Sequence, residues 1–448
     1  MSPKIGTRTA LFVLFAASLA CTLVPGSSPP GPGDPVATSV AATLSARETS
    51  PPPEPDATEI PPGPTPSPTP EPLPLQVAYV REGEVYLWSE GGAAAPVTAL
   101  GDVNGVKISD DGQILAVIRQ LDPTTQEIWA VSTDGSDPRV LVSAADLEGM
   151  SSHEDAISTH PGDLDWVPGT HTLAFNTHPV FEGPGLFLAD DLRLVNADSG
   201  DLTTLLPPGS GGKFKYSPDG SKLALITPEQ ISVINPDGTG RVDLFSFPFI
   251  YSYSEYALYP NPVWVPEGSA LRVVIPPQDP LGSPGEKSVV WHLPTDGSSP
   301  SRLGEFLTVY YFVHRPRLSP DTEQLAYQAP SSGDPGDRIS ELHLTAVDGT
   351  GDILYDSGQL TFHAWSPDSS HFIYSQEGSP PQVGRRGARP QAIRGAGLIR
   401  DVRWVDQDRY LYLNRDSGAW ELWQGDLDGP NLLLDSTPGN SMPYDFTP

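Results

Sequence analysis

The chain has 448 residues, 52 of them proline and 43 glycine, and a formal net charge of −30. So acidic a surface repels nucleic acid phosphates and anionic membrane faces, which removes nucleic acid from the expected partners. Proline and glycine at this level, with only 18% charged residues, suit a turn-rich all-β protein joined to an unstructured stretch and argue against helical bundles.

The N-terminus opens with Lys4 and Arg8, then an apolar run from Ala10 to Ala17, then small residues. This is the three-part pattern of a secretory signal, too short for a membrane-spanning helix. Its end, Ser18-Leu19-Ala20-Cys21, resembles the bacterial lipobox, with Ser18 where that motif prefers Leu. The resemblance implies acylation of Cys21 and an extracytoplasmic, lipid-anchored protein at a bacterial membrane; an ordinary signal peptide containing a Cys is the competing reading. Cys21 is the single cysteine, so an internal disulfide or a thiolate metal site is not expected. Residues 22–74 are dense in proline and poor in large apolar residues. They read as a disordered, polyproline-rich linker, able to hold a folded domain up to roughly 150 Å from a bilayer at ~3.1 Å per residue. The expected organisation is therefore a signal peptide over 1–21, a linker over 22–74 and a folded domain over 75–448.

From residue 75 onward the chain repeats itself. The fullest phrase is FKYSPDGSKLALI at 214–226, and the same grammar recurs at 106–118, 164–175, 262–274, 316–327, 363–374 and 402–413. Each copy has a short apolar strand, a turn of Pro, Asp and Gly, and a second, almost continuously apolar strand expected to be buried on both faces. A later Asp-Gly or similar hairpin follows at 132–137, 196–201, 235–240, 294–299, 346–351 and 426–431. One unit thus contains four strands, and a series of such units predicts a β-propeller.

Seven units begin with the full phrase. The eighth, LQVAYV at 75–80, has no first strand before it, and PYDFTP at 443–448 supplies one. Aligning PYDFTP with FKYSPD, and LQVAYV with SKLALI, predicts that the C-terminal strand pairs with the N-terminal blade and closes the ring without an open sheet edge. The expected fold is all-β, a propeller of eight four-stranded blades, with seven as the alternative.

The phrase resembles the repeat of TolB-type, WD-repeat-like propellers, whose blades open with Trp/Tyr-Ser-Pro-Asp-Gly. Tyr216-Ser217-Pro218-Asp219-Gly220 and Trp365-Ser366-Pro367-Asp368 carry the likeness. Val405-Asp406 and Ile108-Ser109-Asp110 depart from it, and the familiar TolB ring has six blades. Such propellers host binding, hydrolysis and scaffolding alike, so the resemblance implies a fold and leaves the activity open.

Four stretches could carry chemistry. His153, Glu154, Asp155 and His160 offer metal-ligand side chains, but Ile157 occupies the second His position of a His-Glu-x-x-His helix, and a polar surface loop is the competing reading. Arg385, Arg386, Arg389 and Arg394 lie in a run without acids. Their guanidinium forks suit an anionic ligand, or else decorate an exposed outer hairpin. The aromatic stretches 245–264 and 307–318 run into first strands and should open on one rim, for stacking on a ligand or for packing between blades. A Gly-x-Ser-x-Gly elbow is lacking, which argues against a serine hydrolase domain. Ser217-Pro218-Asp219-Gly220 places its Gly one position too early for the Ser-x-Asp-x-Gly turn of sialidases.

The reading that follows is a monomeric, lipid-anchored propeller without a cofactor, which binds or scaffolds an envelope protein or glycan. The alternative is a cell-surface glycan hydrolase or lyase of the same fold.

Overall fold

In a computed structural model the described residues are 74–447 except 152, 184–187, 255, 311–313, 417 and 440. They belong to one unit, Pro70–Pro448. The signal sequence, Cys21 and the proline-rich linker lie outside the described residues.

Among the described residues the strands form eight four-stranded antiparallel sheets, with one short helix, Ala144–Gly149, between the second and third. The blades follow chain order. Blade two runs Val103–Ile108, Ile114–Asp122, Thr125–Ser132 and Arg139–Val142, and blade four runs Lys213–Tyr216, Leu223–Ile226, Gln230–Ile234 and Val242–Ser246. First strands of neighbouring blades touch one another from blade one to three and from blade six to eight, which makes them the innermost strands around the central channel. Second strands are the apolar spine: every residue of Leu223–Ile226 is buried, as are Val77 to Val80.

The Ser-Pro-Asp phrase has a physical reason. The buried Ser217 hydroxyl donates to Asp219 Oδ1 at 2.7 Å and accepts the Lys222 N–H at 2.9 Å, closing the turn between first and second strands. Ser366 repeats this with Asp368 at 2.6 Å and the His371 N–H at 2.9 Å, and Ser109 with Asp111 at 2.7 Å and the Ile114 N–H at 3.0 Å. The later Asp-Gly turns join third and fourth strands. Gly135, Gly238, Gly297 and Gly349 all adopt φ near +85°, the region a side chain disfavours.

The ring closes as the sequence predicts, through a strand Tyr444–Thr447 paired antiparallel to Gln76–Arg81. The detailed alignment is corrected by one residue. Val77 pairs with Phe446, Ala78 with Asp445 and Tyr79 with Tyr444; in blade four Leu223 pairs with Tyr216, Ala224 with Lys215 and Leu225 with Phe214. Residues 75–80 do match 221–226, but Tyr444 is then the counterpart of Phe214, not of Lys215. A one-residue shift exchanges the two faces of a strand. The observed register sinks Tyr444, 2% exposed, among Val77, Leu411 and Leu422, and turns the carboxylate of Asp445 toward the lysine of blade two.

Candidate ligand-binding rim and channel

Antiparallel strands alternate in direction, so the turns between strands one and two and between three and four share one rim. The loops between strands two and three and the connections from blade to blade share the other. The first rim is tight, with turns such as 109–113, 217–222 and 366–370. The second carries the long segments 181–191, 247–262, 276–287, 307–316 and 331–339.

These long loops brace one another. The Tyr251 N–H donates to Gln278 O at 2.9 Å, the Tyr310 hydroxyl to Ser252 O at 2.5 Å, and the Tyr259 hydroxyl accepts the Ala189 N–H at 2.9 Å. Ile250, Leu258 and Tyr259 sink into the core. Their neighbours Tyr251, Tyr253 and Tyr256 do not: they stand 48%, 60% and 55% exposed. Tyr253 holds φ at +55° and bonds Asp279 through its hydroxyl, a backbone setting that costs energy and is met at binding loops more than elsewhere. The aromatic stretch over 245–264 therefore does both things the sequence allowed, packing with some rings and presenting others on the rim.

Beside Tyr256 a cleft of about 910 Å³ leads inward, bordered by Tyr256, Tyr259, Lys213, Lys215, Arg315 and Asp163. Its floor is built by the innermost strands. Two positions before the phrase serine, or its equivalent, stand Lys107, Asp165, Lys215, Val263, Arg317, Ala364, Arg403 and Asp445 in successive blades. Six are charged. Blade seven replaces its charge by a bulge: Phe362 pairs with Tyr374 and Ala364 with Ile373, leaving His363 as the extra residue. Bulges re-aim side chains in this way. His363 shares one cavity of about 460 Å³ with Lys215 and Arg317, and another of about 550 Å³ with Arg315 and Arg317.

The two sides of the channel differ electrostatically. Near the seam, Arg403 meets Asp445 at 3.0 Å and Asp401 at 3.1 Å, while Lys107 reaches Asp165 at 3.8 Å and Asp445 at 4.0 Å. Burial still holds the Asp445 carboxyl above its usual range despite Lys107 and Arg403. Across the ring, the Lys215 ammonium donates to two neutral oxygens, Asn261 Oδ1 at 3.3 Å and Pro262 O at 3.0 Å. Burial, then the Arg317 charge, pushes its pKa below the usual lysine value. The same two causes push His363 down to about 4, so its imidazole is neutral at physiological pH, with Nε2 at 2.7 Å from Ser375 Oγ.

The residues singled out from sequence lie elsewhere. His160 belongs to the innermost strand Ser158–Trp166, with Nε2 2.9 Å from Thr124 O and its ring edge-on to His178. His153, Glu154 and Asp155 sit in the preceding turn, His153 against Phe181. Among the described residues no group of three or more His, Cys, Asp or Glu side chains is placed to hold a metal, and these four do not form one. Arg385 ends the third strand of blade seven, and Arg386, Arg389 and Arg394 flank its outermost strand Gln391–Ala392. All four are exposed; Arg386 bonds the Gly351 carbonyl, and none of the four pairs with an acid among the described residues. The channel charges went unread in the sequence. Their signal was a charge at one fixed offset before the turn, in strands valued only for their apolar residues.

No family model and no curated protein matches the chain. Solved structures similar to it include TolB from Acinetobacter baumannii, at 13% identity over 61% of either chain with a TM-score of 0.31. An oligogalacturonate lyase from Vibrio parahaemolyticus matches at 12% identity over 67% of this chain and 82% of its own, TM-score 0.42. A prolyl endopeptidase matches at 12% identity over 77% of this chain and 50% of its own, TM-score 0.50. The chain thus spans about three fifths of the TolB chain and half of the peptidase chain. At these identities the likeness is one of fold, the β-propeller.

Proposed function

We propose that this propeller is a binding module which engages an envelope glycan or protein through its long-loop rim and channel mouth. Acylation of Cys21 would anchor it to a bacterial membrane on the extracytoplasmic side, with the proline-rich linker as a stalk. The observation that carries the reading is a cleft of about 910 Å³ bordered by the exposed Tyr256, on a rim that also exposes Tyr251 and Tyr253. Exposed rings beside a concave, mixed-polarity cleft suit the capture of sugars or peptide side chains. Acid–base glycan hydrolysis calls for two carboxylates flanking the scissile bond. Among the described residues bordering the cleft Asp163 is the one carboxylate, and its Oδ1 accepts from Lys213 at 3.2 Å. Binding therefore ranks above turnover.

Two measurements test this. Replacing Tyr251, Tyr253 and Tyr256 together by Ser should abolish capture of envelope polysaccharide or protein on a defined array while the melting temperature stays put. Equal capture by parent and variant, or release of cleavage products by the parent, would refute the reading. For the anchor, Cys21→Ala should release the protein from membranes and remove the acyl mass from its N-terminus; unchanged retention would refute that part alone.

A further inference from the structure

The wall of the large cleft carries an ion pair, Asp163 with Lys213, whose bonding capacity is only partly used. We propose that this pair, together with the ring of Tyr256, forms a subsite for a neutral oligosaccharide, the pair clamping two adjacent hydroxyls of one pyranose and the ring covering an apolar sugar face. This deepens the binding function proposed above and rests on it.

The fold builds the pair deliberately into the cleft wall. In blade three Pro161 pairs with Thr177 and Leu164 with Phe175, so Gly162 and Asp163 both stand opposite Asn176. Such a bulge re-aims side chains. The fully buried Asn176 fixes it: Oδ1 accepts the Asp163 N–H at 2.8 Å, and Nδ2 donates at 3.1 Å to the carbonyl of Gly212, the residue before Lys213. A Cβ at position 162 would collide with Asn176 Oδ1, so the bulge requires Gly162. One buried amide thus sets the backbone beside both charged side chains. The side chains themselves stay 42% and 43% exposed.

What remains unbonded defines the ligand. Asp163 Oδ1 accepts from Lys213 Nζ at 3.2 Å, and among the described residues no hydrogen bond reaches Oδ2. The Lys213 ammonium, also 5.4 Å from the centre of the Tyr259 ring, keeps further N–H donors. A free carboxylate oxygen beside an ammonium donor matches two adjacent hydroxyls, one donating and the other accepting. An anion would be repelled by Asp163 and a cation by Lys213, so the pair favours an uncharged ligand. His178 borders the same cleft, and burial, then the His160 charge, lowers its pKa; its ring is neutral at physiological pH. Lys215 and Arg315 border the cleft too, Lys215 donating to Asn261 Oδ1 and Pro262 O, and a carboxylated sugar is therefore the decisive competitor. Tyr256 supplies an exposed ring on this cleft, and flat rings stack on the apolar faces of pyranoses. Peptide side chains carry no pair of adjacent hydroxyls, which selects sugar over protein.

The test is calorimetric titration of the full chain with cellohexaose, mannohexaose and maltohexaose, neutral hexasaccharides whose rings keep adjacent free hydroxyls, and with hexamannuronate as their carboxylated counterpart. At least one neutral sugar should bind, equally well at low and high salt, and hexamannuronate at least about tenfold less tightly. Asp163→Asn and Lys213→Gln should each weaken the neutral sugar at least about tenfold with the melting temperature unchanged, the pair being half exposed. Tyr256→Ser should weaken it more than Tyr256→Phe. Lys107→Gln, at the seam, should not weaken it. Binding of none of the three neutral sugars, or indifference to Asp163→Asn, overturns the subsite. Tighter binding of hexamannuronate that fades with salt overturns its neutral character. Should the tyrosine variant lose capture on the array while no neutral hexasaccharide binds, the rim reading stands and the sugar subsite falls.

Discussion

The two rims of this propeller are made from the same eight repeats and do different work. On the tight rim, residues of one turn reach the next blade. His171 of blade three meets Asp111 of blade two and Asp198 of its own blade, each at 2.9 Å. Asp110 Oδ2 accepts the Gly169 N–H at 2.8 Å, and Ser369 of blade seven accepts the Asp321 N–H of blade six at 3.0 Å. Arg272 of blade five grips the Thr322 carbonyl at 2.6 Å and Glu323 at 3.0 Å. The long-loop rim braces itself mainly by its own loops and leaves tyrosines in solvent. One rim holds the blades in register with turns of nearly constant length, and the other carries segments whose length differs from blade to blade. The difference teaches where a repeat protein can place recognition: on the side its repeat phrase does not govern.

The largest break in that comparison is at the seam, which both rims share. Tyr444 is buried, and truncating it to Ala should cost on the order of 3–5 kcal/mol, a large share of a typical stability of ~5–15 kcal/mol. Deleting 443–448 should do more, exposing the unpaired edge of Gln76–Arg81 and driving aggregation. A thermal scan with light scattering checks both; a silent deletion would refute the closure as a source of stability.

Next comes the tight turn itself. Ser366 is fully buried, and its hydroxyl serves Asp368 and the His371 N–H. Ser366→Ala leaves that N–H without its acceptor oxygen and should cost about 1–3 kcal/mol, read as a lower melting temperature with the fold intact. No shift at all would mean the phrase serine is dispensable.

A smaller effect sharpens the comparison through pH. Hydrogen bonds donated to the Asp111 and Asp198 carboxylates raise the His171 pKa above its usual value. A group whose folded pKa is raised contributes stability that is full below its unfolded pKa, near 6.5, and is lost as pH rises through the folded value. The parent should therefore lose up to roughly 1 kcal/mol across that window relative to His171→Gln, which has no such slope. Parallel melting curves of the two proteins from pH 6 to 8.5 would contradict the link.

Much of this division was legible in the sequence, for reasons that also explain what was not. Asp-Gly and Ser-Pro-Asp are turn chemistry with a fixed offset, so the blades, their number and their closure could be counted. The closing strand slipped by one residue because Tyr444, Asp445 and Phe446 alternate as Phe214, Lys215 and Tyr216 do, and an aromatic was matched to the wrong position. His160 reads from sequence as part of a polar surface loop, yet it lies in a bulged strand whose register shifts between Pro161 and Leu164. The channel charges were hidden by convergence: Lys215, Arg317 and His363 lie far apart in the chain, and only ring closure brings them to common cavities.

The smallest expected effect tests the free rim directly. Segment 276–287 joins the second and third strands of blade five, and most of Leu281 to Lys287 is exposed. Replacing 279–286 by Asn-Gly shortens the loop while keeping the flanking ladder, in which Ile275 pairs with Val289. Loop-closure entropy changes slowly, by about 0.6 kcal/mol for each doubling of length, and little apolar surface is given up. Stability should stay within about 1 kcal/mol of the parent. Recognition should not: Asp279 holds the Tyr253 hydroxyl, so the substitution releases one of the three exposed rings from its setting. Weaker capture at an unchanged melting temperature is the expected outcome. A large drop in melting temperature would show that the long-loop rim, like the tight one, carries the ring, and the contrast between them would be lost.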